Sequence, residues 1–295
     1  MLNEAIVLSD GDWAGELCRL TQFIDAHPRL FVLTGAGCST ASGIPAYRDA
    51  DGAWRRSPPI QFRDFTASAA ARQRYWAGSL LGWEPFSRAR PNRAHLALVQ
   101  LEKLGHVRQL VTQNVDGLHQ RAGHRQVIDL HGRLDRIICL SCRAGVDRDP
   151  LQAQLRRLNP QWARRAAGAA HLGPDGHATL ARDHAPEFKV PACPRCGGIL
   201  KPDVVFFGEP VPRARVQMAR QALFGVDAVL VVGSSLTVYS GYRFCRQAFE
   251  RDLPVAAVNL GRTRADAQLT LKVEGPCEAV LDAAAQALAP AGSAA

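Results

Sequence analysis

Residues 29–37 read RLFVLTGAG. A short run of apolar and β-branched residues is too brief for a helix, yet it suits a strand crossing a buried sheet. The glycines behind it mark a turn where the backbone comes close to a neighbour or a ligand. The reading is a buried strand over Arg29–Thr34 feeding a glycine-rich turn at Gly35-Ala36-Gly37, with a helix or loop over Ser39–Ile44 that Pro45 ends.

The same pattern recurs along the chain. Val107–Thr112, Val127–Leu130, Val226–Val232 (VDAVLVV) and Pro254–Asn259 (PVAAVN) predict further strands. Ala94–Leu104 and Ala279–Leu288 carry apolar residues at helical spacing. Short apolar strands alternating with helices predict a parallel sheet covered on both faces, the doubly wound α/β class. Residues 48–90, rich in Arg, Ala, Trp and Phe, predict short helices with loops around Pro58-Pro59 and Pro85. The stretch from Cys139 to Cys196 breaks the rhythm and predicts a separate small module. Its middle, roughly Gln161–His184, reads as a mobile loop or loose helices.

Composition narrows the class. The chain has 295 residues, 47% hydrophobic and 21% charged, as in soluble globular proteins. No apolar stretch of about 18 residues occurs, so no membrane partner is expected. Met1–Arg19 lacks the basic and apolar regions of a secretory signal, so a cytoplasmic location with reduced cysteines is expected. The net charge of +9 comes from scattered residues with no charge run, and nucleic acid is not expected as a partner.

Four of the eight cysteines form Cys139-x-x-Cys142 and Cys193-x-x-Cys196. Two such turns offer one ion a tetrahedron of thiolates, with no open position for chemistry. One structural Zn2+ is expected. That site fits a zinc ribbon or any zinc-stabilised fold.

Chemistry is expected at the strand ends. Gly35-Ala36-Gly37 lacks the third glycine of the dinucleotide fingerprint, since position 40 is Thr. Yet Gly233-Ser234-Ser235 and Asn259-Leu260-Gly261 also follow predicted strands. Open α/β sheets bind ligands at that carboxyl edge. Gln113, Asn114 and Asp116 follow a fourth strand and offer amide and carboxylate partners for ribose or a carboxamide. His131-Gly132 lies just past a fifth, where an imidazole suits a general base.

From about Asp25 to Leu288 the chain resembles the sirtuins. The resemblance is carried by Gly35-Ala36-Gly37 with Ser39, Gly43-Ile44-Pro45 with Tyr47-Arg48, residues 112–116, His131-Gly132, the four cysteines, residues 201–209, residues 233–235 and Asn259. It implies a Rossmann-like NAD-binding domain of residues 1–47, 95–135 and 200–295. It also implies a small domain made of a helical module, 48–94, and a zinc module, 136–199. NAD would be held by Gly35, Ala36, Gly37, Tyr47, Arg48, Gln113, Asn114, Asp116, Gly233, Ser234, Ser235, Asn259, Leu260, Gly261 and Cys277. An acyl-lysine protein or peptide would pair with Val205, Phe206, Phe207 and Gly208. His131 would be the catalytic base of a deacylase that consumes NAD to give nicotinamide, O-acyl-ADP-ribose and free lysine. Mono-ADP-ribosyl transfer at the same site is the alternative. Ala46 stands where the family commonly has Asp. Tyr75 is followed by Gly78 where relatives selective for acidic acyl groups have Arg, which points to acetyl or a longer apolar acyl.

Overall fold

The computed structural model describes residues 14–47, 49, 53, 55, 59–165, 173–178 and 187–290. Arg48, Pro58 and residues 1–13 of the expected large domain lie outside the described residues. So do 166–172 and 179–184 of the stretch Gln161–His184.

The helices in chain order are α1 (Ala14–Ala26), α2 (Phe62–Ala67), α3 (Ala69–Ser87), α4 (Arg93–Lys103), α5 (Leu118–Ala122), α6 (Arg148–Leu158), α7 (Pro160–Arg165), α8 (Arg213–Leu223), α9 (Tyr239–Phe249) and α10 (Cys277–Leu288). The strands are β1 (Leu30–Thr34), β2 (Val107–Thr112), β3 (Val127–Asp129), β4 (Gly132–Cys139), β5 (Gly145–Asp147), β6 (Leu200–Val204), β7 (Ala228–Val232), β8 (Val255–Val258) and β9 (Leu271–Val273). The glycine turn winds into a 3-10 helix, Ala36–Ser42.

The main sheet has the order β3-β2-β1-β7-β8-β9, with every pairing parallel. Alternation along β1 explains its two covered faces. Leu30 and Val32 pack on one side with Leu20, Ile24, Leu98, Leu101 and Val280, from α1, α4 and α10. Phe31 and Leu33 pack on the other side with Leu223 and Phe244, from α8 and α9. Each such fully buried side chain contributes roughly 1.5–3 kcal/mol. This confirms the doubly wound class expected from sequence.

After β3 the chain leaves this sheet. It builds a second, antiparallel sheet of order β5-β4-β6. That sheet, α2, α3, α6 and α7 share another core around Phe65, Trp76, Phe86, Ile137, Leu155 and Phe188. The loop expected at Pro85 is absent, because α3 continues through Pro85 to Ser87. Proline there forfeits one N–H near the helix end. Its neighbours Trp83 and Phe86 are buried in the small core and hold the last turn in place. Of the short helices expected before it, α2 is one, with six residues, whereas α3 runs for 19. Among the described residues no helix is long and apolar enough to cross a membrane.

Gly132 joins the two sheets. Its φ of 84° is left-handed, and a Cβ there would lie 1.8 Å from the Asp203 carbonyl oxygen. Gly132→Ala is therefore expected to cost at least about 2 kcal/mol. Urea unfolding followed by circular dichroism checks this, and an unchanged midpoint would contradict it.

Candidate active site

The carboxyl ends of β1 and β7 are adjacent, since Thr34 pairs with Val232. Their turns pack backbone on backbone. Gly35 N–H donates to Val232 O at 3.0 Å, and Gly37 N–H donates to Gly233 O at 2.8 Å. A Cβ on Gly37 would meet Gly233 Cα at 2.9 Å, and one on Gly233 would meet Cys38 N at 2.2 Å. Strand order reverses here, with β2 on one side of β1 and β7 on the other, which makes it the crevice of the fold.

Side chains after β2 close this crevice from one side. Gln113 Nε2 donates to Ser234 Oγ at 2.8 Å. Asn114 Nδ2 donates to Gly35 O and to Ser39 Oγ, both at 3.0 Å. Ser39 Oγ–H donates in turn to Asp116 Oδ2 at 2.8 Å, and Leu118 N–H donates to Asp116 Oδ1 at 2.8 Å. Burial raises the Asp116 pKa, and the bonds from Leu118 and Ser39 oppose that rise.

His131 sits between the two sheets, after β3 and before β4. Its Nδ1 lies 2.9 Å from the Gln113 carbonyl oxygen. A carbonyl only accepts, so Nδ1 carries the proton and Nε2 presents a lone pair. That lone pair receives the Ser240 hydroxyl at 2.7 Å. Burial lowers the His131 pKa to about 4, and the nearby cations Arg215 and Arg243 also lower it. The ring is therefore a neutral base of fixed tautomer, one step from the crevice floor. Sequence reasoning missed Ser240. It lies 109 residues from His131, and no local pattern marks it.

On the far side of the crevice, Asn259 is 6% exposed, and its Nδ2 donates to Leu260 O and Gly261 O. Leu260 is exposed, and Gly261 N–H donates to Glu274 Oε1. Ser235 O accepts from Arg264 N–H. Cys277 opens α10, buried, with its Sγ 3.6 Å from Val258 O, and burial pushes its thiol up to about 12. Tyr47 is half-buried with its ring 6.1 Å from that of Phe207.

The stretch after β6 starts at the base itself, for Val205 N–H donates to His131 O at 2.8 Å. Phe207 O accepts from Phe62 N–H, and Phe206 packs on Phe65 and Tyr75. Gly208 has a φ of 78°. Buried Lys201 holds the bend, pairing with Glu209 at 3.1 Å and donating to Val204 O, while its Nζ lies 4.6 Å over the Phe206 ring. Beside Tyr75, a Cβ at Gly78 would meet His177 Nε2 at 2.2 Å.

The four cysteines converge as their spacing predicts. All four sulfurs lie within 4.8 Å of one another, with 3.5 Å from Cys139 to Cys196 and 3.8 Å from Cys142 to Cys193. Thiolates about 2.3 Å from one tetrahedral zinc lie about 3.8 Å apart. Backbone amides of Cys142 and Ser141 aimed at Cys139 favour its thiolate. The donor set thus fits zinc.

Comparison with known proteins agrees with this geometry. The profile of the Sir2 family matches residues 35–240. A Bordetella pertussis protein named NAD-dependent protein deacetylase is 59% identical over 266 residues, covering 90% of this chain and 96% of that one. The human protein named NAD-dependent protein lipoamidase sirtuin-4, mitochondrial, is 48% identical over 265 residues, covering 89% and 83%. A solved Sir2–p53 peptide–NAD+ complex superposes with a TM-score of 0.67 at 27% identity, covering 89% and 94%. With two turns interlocked at the crevice, a tautomer-fixed histidine beside them and a four-sulfur knuckle behind, the chain belongs to the Sir2 family.

Proposed function

We propose that this chain is an NAD-dependent protein lysine deacylase in which His131 is the general base. The observation that carries the reading is the His131 ring. Its Nδ1–H is committed to the Gln113 carbonyl, and its bare Nε2 faces a hydroxyl. The names of the bacterial relatives and the peptide and NAD+ in the related complex support the reaction class.

NAD, when bound, supplies an anomeric carbon from which nicotinamide departs and to which the acyl oxygen adds. The remaining work falls to the protein. Gly35, Ala36 and Gly37 would admit the pyrophosphate against bare backbone. Gln113, Asn114 and Asp116 would hold the ribose and carboxamide, with Tyr47 and Arg48 closing over them. Gly233, Ser234, Ser235, Asn259, Leu260, Gly261 and Cys277 would hold the adenosine half. His131 Nε2 would accept a proton from a ribose hydroxyl that takes the place of Ser240 Oγ. Val205, Phe206, Phe207 and Gly208 would pair with the peptide backbone. Zinc in the cysteine knuckle would be structural. We place the large domain at 1–47, 95–135 and 200–295, and the helical and zinc modules at 48–94 and 136–199.

The wild-type protein, given NAD and an acetyl-lysine peptide, is expected to release nicotinamide and free lysine. His131→Ala should lower kcat/KM at least about 100-fold. Equal rates in the two proteins would remove the base assignment. Label transfer from NAD to protein without lysine deacylation would instead support ADP-ribosyl transfer.

Burial disfavours the His131 cation, so the base stays neutral far below the ordinary histidine range. The acid limb of kcat/KM for NAD is expected well under pH 6.5. The Ser240 hydroxyl donates to the neutral ring and so favours it. Ser240→Ala should therefore raise that limb by up to about one pH unit. A limb near 6.5 in the wild type, unmoved in the variant, would contradict this account. Chelation of zinc is expected to lower the melting temperature and then abolish activity. Full thermal stability without metal would refute a structural role.

A further inference from the structure

Under the glycine turn lies a cluster of ligating side chains that the deacylase reading does not use. Cys38 faces inward from the 3-10 helix, 1% exposed. His95, from the first turn of α4, is 0% exposed, and His119, from α5, is 1% exposed. The Cys38 sulfur and one ring nitrogen from each histidine all lie within 4.8 Å of one another. His95 Nε2 and His119 Nδ1 are fully buried and have no hydrogen-bond partner among the described residues. An unpaired buried polar atom carries a desolvation cost, and two on histidines that share one buried cluster with a thiol need an explanation.

The outer nitrogens are held as they are in metal centres. Thr34 Oγ1–H donates to Thr112 Oγ1 at 2.8 Å, so His119 Nε2–H is the donor to Thr34 at 2.9 Å. That leaves Nδ1 of His119 as a lone pair. His95 Nδ1 accepts from the Asn92 backbone N–H at 3.3 Å and lies 3.1 Å from Asn92 Oδ1, so ligation through Nε2 requires the ring proton to shift to Nδ1, where Oδ1 can accept it. Asn92 also donates from Nδ2 to Cys38 O at 2.9 Å, so one side chain sets both His95 and the turn that bears the thiol.

We propose that Cys38, His95 and His119 form a buried binding site for one cuprous ion. The donor set is one soft sulfur and two imidazoles in a pocket shut from water, which suits a three-coordinate thiophilic ion. Charge decides between copper and zinc. A Cu+ ion that displaces the Cys38 thiol proton to solvent leaves the interior with no added charge. Zn2+ would leave one positive charge buried and lack a fourth donor. Metal–ligand bonds of about 2.0–2.3 Å bring donors to within about 4 Å of one another, so only a small contraction is required. Burial keeps both imidazoles neutral, the form that ligates.

The test uses the full-length, zinc-loaded protein, kept anaerobic with ascorbate. It is titrated with Cu+ buffered by bathocuproine disulfonate. After desalting, copper and zinc are counted by inductively coupled plasma mass spectrometry. One copper per chain with unchanged zinc is expected, together with a copper K-edge X-ray absorption shell of one sulfur and two nitrogens. Cys38→Ile and His119→Gln are each expected to weaken copper retention at least about tenfold while zinc content stays the same. An all-sulfur copper shell with release of zinc would overturn the proposal, as would failure to retain copper or full retention by both variants. The wild-type absorption spectrum decides the matter if either variant fails to fold.

Discussion

The crevice depends on how closely two backbone turns approach each other. Parallel pairing of β1 with β7 delivers Gly35 and Gly233 side by side at one edge. The N–H of Gly37 then reaches the carbonyl of Gly233, leaving no room for a side chain between them. A Cβ at any of these three glycines would collide with backbone or with Ser234. The floor is therefore made of peptide groups. Gln113 and Asn114 reach it from β2 and tie to Ser234 and Gly35 O. Loss of the close approach would release those ties and, through the Gln113 carbonyl, the orientation of His131.

His131 shows how burial and orientation act together. Desolvation disfavours the cation and depresses the pKa to about 4. A base so weak would be a poor proton acceptor if nothing else changed. On the deacylase reading, the substrate brings a pyrophosphate into the crevice. Its negative charge favours the imidazolium and returns proton affinity to the ring when it is needed. Ser240 caps the Nε2 lone pair, and the Gln113 carbonyl can accept the Nδ1 proton whether the ring is neutral or charged, so it can hold the ring's orientation through a proton transfer.

Features that are local in sequence were legible. The strand over RLFVLT, the paired cysteines and the polar residues after each strand follow from periodicity and residue chemistry, and the structure brings them together. Features made by distant contacts were not. β4 carries Arg133, Asp135 and Arg136 among its apolar residues, so its reading GRLDRIIC gives no clean alternation, and its partner β6 lies beyond the cysteine module. Ser240 is an ordinary serine until α9 brings it to His131. Pro85 reads as a stop signal, yet the buried rings of Trp83 and Phe86, with Arg121 donating to Ser87 O, hold the helix through it. Cys38, His95 and His119 come from three separate elements, and their convergence has no signature in any one of them.

The cysteine knuckle and the base stand at opposite ends of one strand. β4 begins at Gly132, next to His131, and its eighth residue is Cys139. A strand of that length spans about 25 Å, too far for a metal at the knuckle to act on the reaction. Its influence must be mechanical. β6 pairs with β4 from Leu200 opposite Cys139 to Val204 opposite Gly132, with the register broken between Arg133 and Ile137. A short antiparallel pair with a break frays from its ends. Four sulfurs clamp one end of this pair, and the bond from Val205 N–H to His131 O closes the other. Opening the knuckle would let the pair slide at its break. The slide would start at Leu200 opposite Cys139 and end on the bond that holds the backbone of His131.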